Sequence, residues 1–260
     1  MYETITYEVL AGVAQVTLNR PDKMNAINTQ LGLELYDALK RMERAGDVRA
    51  AVLTGAGRGF CSGQDLGDAA AVQGDARLSD AVRERYNLIV AKMQALPFPI
   101  LAAVNGVAAG AGFGLALACD LRFAATTAKF TMAFSKIGLV PDSGSSYFLS
   151  RLVGVGRALE WSWTADVIDA QTAHQHGVVN RLFSPDELWP ASCAFAEQLA
   201  AGPTLAYGLT KRAIYENFNA TLPEALEREA RWQDVAGRSH DFREGVQAFR
   251  DKRPPVYRGE

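Results

Sequence analysis

The chain has 260 residues, and its 27 lysine and arginine residues nearly balance 29 aspartate and glutamate residues, for a formal net charge of −2. Hydrophobic residues make up 48% and charged residues 22% of the sequence, which excludes a disordered or fibrous chain. Nucleic-acid phosphates attract a clustered excess of Lys and Arg, and this balance lacks one, so we expect no nucleic-acid partner.

The cysteines bear on the redox environment and on metal binding. Cys61, Cys119 and Cys193 are widely spaced and odd in number, so they give neither a disulfide framework nor a zinc-ligand spacing. We therefore expect a reducing, cytoplasmic environment and no bound metal. The first residues carry no basic region followed by an apolar stretch, so no secretory signal is expected. His174 and His176 are interpreted as residues at the end of a helix.

Residues 4–10 and 13–18 alternate polar and apolar side chains around Ala11 and Gly12, which predicts two strands joined by a tight turn. The pattern then predicts a helix, a buried strand, a second helix, a further buried strand and a small-residue helix, over residues 26–42, 50–53, 78–96, 100–104 and 111–118. Strands that alternate with helices in this way predict an α/β fold with crossover helices over a sheet.

The apolar stretch at 99–119 is long enough for a membrane helix. Its high glycine content, with Asn105 and Gly106 near its centre, instead favours a buried strand, a turn and a helix. We therefore expect no membrane partner.

After residue 142 the periodicity becomes mostly helical. Helices are predicted over residues 143–152, 157–163, 170–176, 185–200 and 204–217, with one strand over 178–183 and a charged segment over 222–250. We interpret residues 1–200 as a core domain and residues 201–260 as a helical C-terminal region that packs on itself or on a neighbouring subunit.

Common catalytic motifs are absent from the sequence. The segment 110–115 lacks the sixth-position glycine of a dinucleotide fingerprint, so a nicotinamide cofactor is disfavoured. There is no phosphate-binding GxxxxGK[ST], no HExxH and no GxSxG pattern.

Two glycine-bearing loops follow predicted strands, at 57–66 and 105–112. Small residues let a ligand lie against the backbone, and a backbone N–H at a loop or helix start can donate to a developing anion. If the two strands are neighbours, the loops converge. The alternative is that these glycines serve only tight turns and close helix packing.

Five segments in order resemble the signatures of the crotonase (enoyl-CoA hydratase/isomerase) superfamily. They are residues 19–26, 60–66, 103–120, 128–130 and 138–142. The resemblance implies a ββα-spiral core, a homotrimer or dimer of trimers formed through the C-terminal helices, and an acyl-coenzyme A thioester substrate. It implies no cofactor besides the coenzyme A that is part of the substrate.

The resemblance also implies roles for individual residues. The backbone N–H groups of Gln64 and Ala111 would form an oxyanion hole for the thioester carbonyl. The coenzyme would be bound by the residues of two loops and the start of a helix, namely Lys23, Asn25, Ala26, Ser62, Gly63, Asp65, Leu66 and Gly112.

Two departures from the family pattern bear on the activity. Hydratases of the superfamily carry glutamates at the positions held here by Gly114 and Phe134. Neither residue can transfer a proton, so water addition lacks both of its acid/base groups. Asp142 instead occupies the position where isomerases of the superfamily carry an acid. The structural alternative for Asp142 is a helix N-cap.

The sequence therefore predicts an acyl-CoA isomerase that removes the proton alpha to the thioester. Segments 130–142, 236–239 and 243–246 resemble members that convert a ring-1,2-epoxyphenylacetyl-CoA to its oxepin and move a 3,4 double bond to the 2,3 position. Enoyl-CoA hydratase activity and a non-catalytic acyl-CoA- or RNA-binding role remain alternatives.

We expect apolar neighbours of Asp142, namely Phe134, Leu139 and Val140, to raise its pKa and make it a better base. We expect the loop 66–77 and the helix 78–96 to form the pocket walls, but their residues do not identify the acyl group.

Overall fold

The computed structural model describes residues 2–67 and 77–260. Most of the loop 66–77, expected to line the pocket, lies outside these residues. The described strands are β1 Ile5–Leu10, β2 Val13–Leu18, β3 Ala50–Gly55, β4 Gly59–Cys61, β5 Ile100–Val104, β6 Val107–Ala109, β7 Leu121–Ala125, β8 Lys129–Thr131, β9 Ile168–Asp169 and β10 Arg181–Phe183. The described α-helices are α1 Thr29–Arg44, α2 Leu78–Ala81, α3 Asn87–Ala95, α4 Ala111–Ala118, α5 Ser145–Val153, α6 Val155–Thr164, α7 Ala170–Gln175, α8 Pro185–Ala200, α9 Thr204–Asn217, α10 Leu222–Gly237 and α11 His240–Asp251.

A six-stranded sheet forms the larger layer, in the order β1-β2-β3-β5-β7-β10. The β1–β2 pair is antiparallel and the remaining pairs are parallel. Ala11 and Gly12 both have positive φ, of 50° and 77°, as a two-residue hairpin requires. The predicted hairpin and the parallel α/β sheet are confirmed.

The sheet is buried on both faces, because alternate residues of each central strand enter different apolar clusters. On β3, Ala51 and Leu53 join the main core with α1, α3 and α4, whereas Ala50 and Val52 pack with α8. This explains why the sequence shows continuous apolar runs instead of alternation.

A second, four-stranded sheet in the order β4-β6-β8-β9 was not predicted as a unit. Its strands have two or three residues each, too few for a period-2 pattern to be visible. The β4–β6 and β6–β8 pairs are parallel and the β8–β9 pair is antiparallel. Both glycine-bearing loops are attached to strands of this small sheet, which fixes their positions.

The helix predicted over 78–96 contains a π-helical turn, Val82–Tyr86, between α2 and α3. Periodicity cannot show such a turn, since it inserts one extra residue into an otherwise helical pattern. The helix ends at Ala95, before Pro97 and Pro99, as predicted.

Helices dominate the last third, as predicted. The charged segment 222–250 forms two helices, α10 and α11, because Ser239 starts a new helix by accepting a hydrogen bond from the Phe242 N–H. The strand predicted over 178–183 is limited to β10.

A buried ion pair joins α9 to the core. Lys211 Nζ lies 2.9 Å from Asp120 Oδ2 and donates to the Met93 carbonyl at 2.9 Å. The division at residue 200 and an oligomerisation role for residues 201–260 stay predictions.

Within the described residues, no helix combines the length and the apolarity needed to cross a membrane.

Candidate active site

The two glycine-bearing loops meet at one edge of the small sheet. They leave β4 and β6, which pair in parallel through Gly59 with Val107 and Cys61 with Ala108. The carboxyl ends of parallel neighbours lie at the same edge. The loops therefore converge as predicted, but they follow these short strands and not β3 and β5 directly.

Gly63 and Ala111 are in close contact at this edge. Gly63 has a φ of 97°, which side chains rarely adopt. A Cβ on Gly63 would lie 2.8 Å from the Ala109 oxygen and 3.5 Å from the Ala111 nitrogen. Only glycine lets the first loop approach the start of α4 this closely, so Gln64 follows directly beside the Ala111 N–H.

Hydrogen bonding leaves the Gln64 and Ala111 N–H groups available. Gln64 forms an isolated parallel bridge with Ile27, through the hydrogen bonds from the Ile27 N–H to the Gly63 carbonyl and from the Asp65 N–H to the Ile27 carbonyl. Neither bond uses the Gln64 N–H. Ala111 is the first residue of α4, where an N–H has no partner inside the helix. Neither group donates to another described residue, so both can serve a ligand anion.

Asn25 holds the adjoining loop together from inside. Its side chain is fully buried, where it donates to the carbonyls of Ala56 and Gly59 at 3.0 and 2.8 Å and accepts from the Arg20 N–H at 2.9 Å. These bonds use the amide for loop structure. In contrast, Lys23 is exposed and its carbonyl accepts from the Ser62 hydroxyl at 3.3 Å.

Arg20 connects this loop to the loop that carries Gln64. Its guanidinium lies 2.8 Å from the Asp65 carboxylate and donates to the Ala26 carbonyl at 2.6 Å. Both charged side chains are 18% exposed, which protects the pair from solvent more than an exposed pair. Sequence reasoning missed this role of Arg20, because a salt bridge across 45 residues leaves no local pattern.

The other two predicted binding residues differ in exposure. Leu66 is 59% exposed at the end of the loop. Gly112 packs against the Cys61 carbonyl so closely that a Cβ would overlap it. Gly112 therefore brings α4 against β4, and its backbone faces this strand.

Asp142 lies in a tight turn between the 3-10 helix Ala133–Ile137 and α5. The N-cap of α5 is Gly144, with a φ of 73°, and Ser145 is the first helical residue. The Asp142 side chain accepts a hydrogen bond from the Ser143 hydroxyl at 2.8 Å, while its main-chain carbonyl accepts from the Ser145 N–H. The N-cap interpretation is therefore wrong, because a left-handed glycine takes that position. The carboxylate remains available.

The environment of Asp142 favours a proton acceptor. Burial raises the pKa of this carboxyl above its usual range, and the hydrogen bond from Ser143 lowers the pKa in part. The expected apolar cover is only partly present: Phe134 is buried, but Val140 is 79% and Leu139 39% exposed. The turn itself packs against α4.

The contact between this turn and α4 is made at Gly114. A Cβ there would lie 2.6 Å from Ser145 Oγ and 2.9 Å from Ser143 Cβ. Gly114 is one helical turn after Ala111, so Asp142 is held near the N-terminus of α4. No larger side chain fits beside Ser143 and Ser145, so the glutamate that the family resemblance implies for hydratases at this position has no room. The second position is Phe134, whose ring lies 3.9 Å from the Cβ position of Gly110.

Cys61 lies at the same edge but is not a candidate nucleophile. Burial raises its pKa to about 12, and its Sγ donates to the Asn25 carbonyl at 3.1 Å. Among residues 2–67 and 77–260, no three His, Cys, Asp or Glu side chains lie close enough to hold a metal ion.

The chain is similar to known proteins over its full length. A "probable enoyl-CoA hydratase" from Rhodobacter capsulatus is 46% identical over 258 residues, covering 99% of each chain. The 1,2-epoxyphenylacetyl-CoA isomerase of Escherichia coli K12 is 43% identical over 262 residues, covering 100% of each.

Solved structures with a similar fold come from the same family of proteins. A solved chain from Mycobacterium abscessus, named provisionally as an enoyl-CoA hydratase/isomerase, is 40% identical with a TM-score of 0.94, and the match covers 98% of this chain and all of that one. Residues 8–260 match the enoyl-CoA hydratase/isomerase family model. The protein thus belongs to the enoyl-CoA hydratase/isomerase family, and its fold is that of the crotonases.

Proposed function

We propose that the protein is an acyl-CoA isomerase in which Asp142 removes the proton alpha to the thioester and returns it at another carbon. The observation that carries this proposal is the contact at Gly114, where Ser143 and Ser145 leave no room for the glutamate that we expect at this position in a hydratase. Asp142 remains half-buried beside the start of α4.

The chemistry requires a base and an anion site. A proton alpha to a thioester is weakly acidic, and its removal places negative charge on the carbonyl oxygen. The N–H groups of Gln64 and Ala111 would donate to that oxygen. A raised pKa brings Asp142 closer to neutral pH, where proton transfer in both directions is efficient. One carboxylate suffices, because the proton that it takes is returned and the composition of the substrate does not change.

Two substrate types suit this chemistry. The relative from Escherichia coli is named for a ring-1,2-epoxyphenylacetyl-CoA, and we propose this type of aromatic epoxide for the present protein. A 3-enoyl-CoA, whose double bond moves to the 2,3 position, is the second type. Both begin with loss of the alpha proton. The similarity to a relative named as a hydratase keeps water addition to crotonyl-CoA as the competing activity.

Asp142→Asn tests the base directly, with mass spectrometry and a solvent-deuterium exchange assay on both substrates. We expect the variant to bind an acyl-CoA but to isomerise at least about a hundredfold more slowly, the usual scale for loss of a general base. Near wild-type turnover would overturn the proposal, as would rapid hydration of crotonyl-CoA by the wild type. Asp169→Asn is a matched control, since that carboxylate caps α7.

A further inference from the structure

A buried tyrosine on the helix opposite Asp142 has no role in the steps above. Tyr86 is the last residue of the π-helical turn Val82–Tyr86 and is 3% exposed. Such turns change the direction in which following side chains point, and they occur frequently at functional sites.

Tyr86 faces the Asp142 turn. Val90 follows it by four residues and so shares its helix face, and Val90 Cγ1 lies 3.4 Å from the Cβ position of Gly144. Asp142 and Cys61 are both near enough to raise the pKa of the Tyr86 hydroxyl. The phenol is therefore located between the loop that carries Gln64 and the turn that carries Asp142.

The Tyr86 hydroxyl is a buried polar group whose O–H has no hydrogen-bond acceptor among the described residues, although the Arg85 guanidinium interacts with its oxygen. Ser145 Oγ, which lies against Gly114 beside Asp142, is a second one. A buried hydroxyl left unsatisfied costs roughly 1–3 kcal/mol, and buried tyrosines usually find a partner. Tyr86 and Ser145 both lie on the side of the Asp142 turn, which points to a polar partner that arrives with the ligand.

The Tyr86 hydroxyl keeps its proton and can donate it in a hydrogen bond. Burial raises the pKa of Tyr86, the charge of Arg85 and a hydrogen bond from its guanidinium to the phenol oxygen lower it in part, and Asp142 and Cys61 raise it. The phenol thus keeps its proton and requires an acceptor. The hydrogen bond seen at the Asp142 carboxylate comes from Ser143, so this carboxylate does not accept from Tyr86.

We propose that Tyr86 is a specificity residue whose O–H donates a hydrogen bond to an oxygen atom in the acyl group, separate from the thioester carbonyl. The site then selects an acyl-CoA with an oxygen on or in its ring over a hydrocarbon acyl-CoA of the same shape. This inference rests on the proposed function, because the proposed function places the acyl group between Asp142 and the two loops.

Binding measurements with two unreactive ligands test the inference. The probes are 2-hydroxyphenylacetyl-CoA and 2-methylphenylacetyl-CoA, which differ by an oxygen in place of a methyl group of similar size. We expect calorimetry to show about tenfold tighter binding of the hydroxylated ligand to the wild type, the scale of one hydrogen bond in a buried site. In Tyr86→Phe this preference should fall to about twofold or less.

Tyr7→Phe is the matched control. Tyr7 also carries a buried hydroxyl without a partner among the described residues. Its charged neighbours are Arg41, which lies over its ring, and Asp47, and Asp142 does not act on it. This variant should keep the wild-type preference. Both substitutions remove one oxygen atom, and thermal melts within a few degrees of the wild type would show that both proteins are folded.

The outcomes separate the two proposals. A Tyr86→Phe protein that keeps the full preference, or a wild type that shows none, would overturn the inference. Because the assay measures binding, it gives an answer even if the wild type isomerises neither substrate, a result that would reject the proposed function alone. Isomerisation by a wild type without the binding preference would reject the inference alone.

Discussion

The hydroxyl of Ser143 donates a 2.8 Å hydrogen bond to the carboxylate of Asp142, the residue directly before it. Ser143 itself is buried and has a φ of 52°, a conformation that non-glycine residues adopt at some cost. The strained turn thus fixes the donor beside the proposed base.

Ser143→Ala should move the acid limb of the pH profile for kcat/KM to higher pH. The lost hydrogen bond stabilises the charged carboxylate and lowers the pKa of Asp142, so its loss raises that pKa. The base form, present above the pKa, would then appear only at higher pH. Ser150→Ala, which removes a hydroxyl that donates to the Ser146 carbonyl within α5, should leave the limb in place. An unshifted limb in Ser143→Ala would show that another group titrates.

Gly114→Ala should destabilise the protein by about 1–3 kcal/mol, the range for overpacking a tight core. The new methyl group would lie 2.6 Å from Ser145 Oγ. Gly156→Ala in α6 is the matched control, because nothing lies within 4 Å of its Cβ position. That change should be neutral or stabilise by up to about 1 kcal/mol. Equal urea midpoints for the two variants would contradict the packing argument.

Arg20→Gln and Asp65→Asn should each weaken acyl-CoA turnover, and their effects should not add. The ion pair joins the loop at Ala26 to the loop at Gln64. A double-mutant cycle on kcat/KM is expected to give a coupling energy of about 0.5–3 kcal/mol, typical of contacting residues. Strictly additive effects would mean that the pair does not position the loops.

Glu34→Gln should make stability less dependent on pH below neutrality. Burial alone would raise the pKa of Glu34, but hydrogen bonds from Thr4, Gln30 and the Glu3 N–H lower it to about 2. A depressed native pKa contributes stability that is present above the unfolded-state pKa of about 4.3 and is lost as pH falls toward 2. The lost stabilisation is at most about 3 kcal/mol.

Urea unfolding at pH 7 and pH 3 measures this contribution. We expect the difference between the two pH values to shrink in Glu34→Gln but to persist in Glu8→Gln, which changes an exposed residue on β1. An unchanged difference in the Glu34 variant would assign the acid sensitivity to other carboxylates.

The large sheet could be predicted because β3 and β5 form apolar runs between glycines and prolines, and because α8 and α9 have long helical periodicity. The strands that position the site could not. Gly59–Cys61 and Val107–Ala109 are three residues long, and their pairing depends on contacts distant in sequence.

Side-chain roles in the site show the same division. The glycine-bearing loops predicted backbone donors at this edge, and the family resemblance identified them as the N–H groups of Gln64 and Ala111, neither of which donates to another described residue. The capping of α5 by Gly144 instead of Asp142 was not predictable from residue preferences, since aspartate is the better N-cap. The lack of a hydrogen-bond acceptor for the Tyr86 O–H among the described residues is a property of the three-dimensional packing, so the sequence could not show it.

The bridge between Ile27 and Gln64 has a consequence for substrate length. It joins the segment after Ala26, next to the proposed coenzyme site, by main-chain hydrogen bonds to the segment whose N–H would face the thioester carbonyl. If the coenzyme binds there as proposed, ordering at the nucleotide end of a substrate would be transmitted through this bridge to the reacting carbonyl. Binding free energy from a remote part of a substrate can lower the barrier at the reacting atoms. A shortened thioester, with pantetheine or a simpler thiol in place of coenzyme A, would therefore turn over more slowly even at saturation.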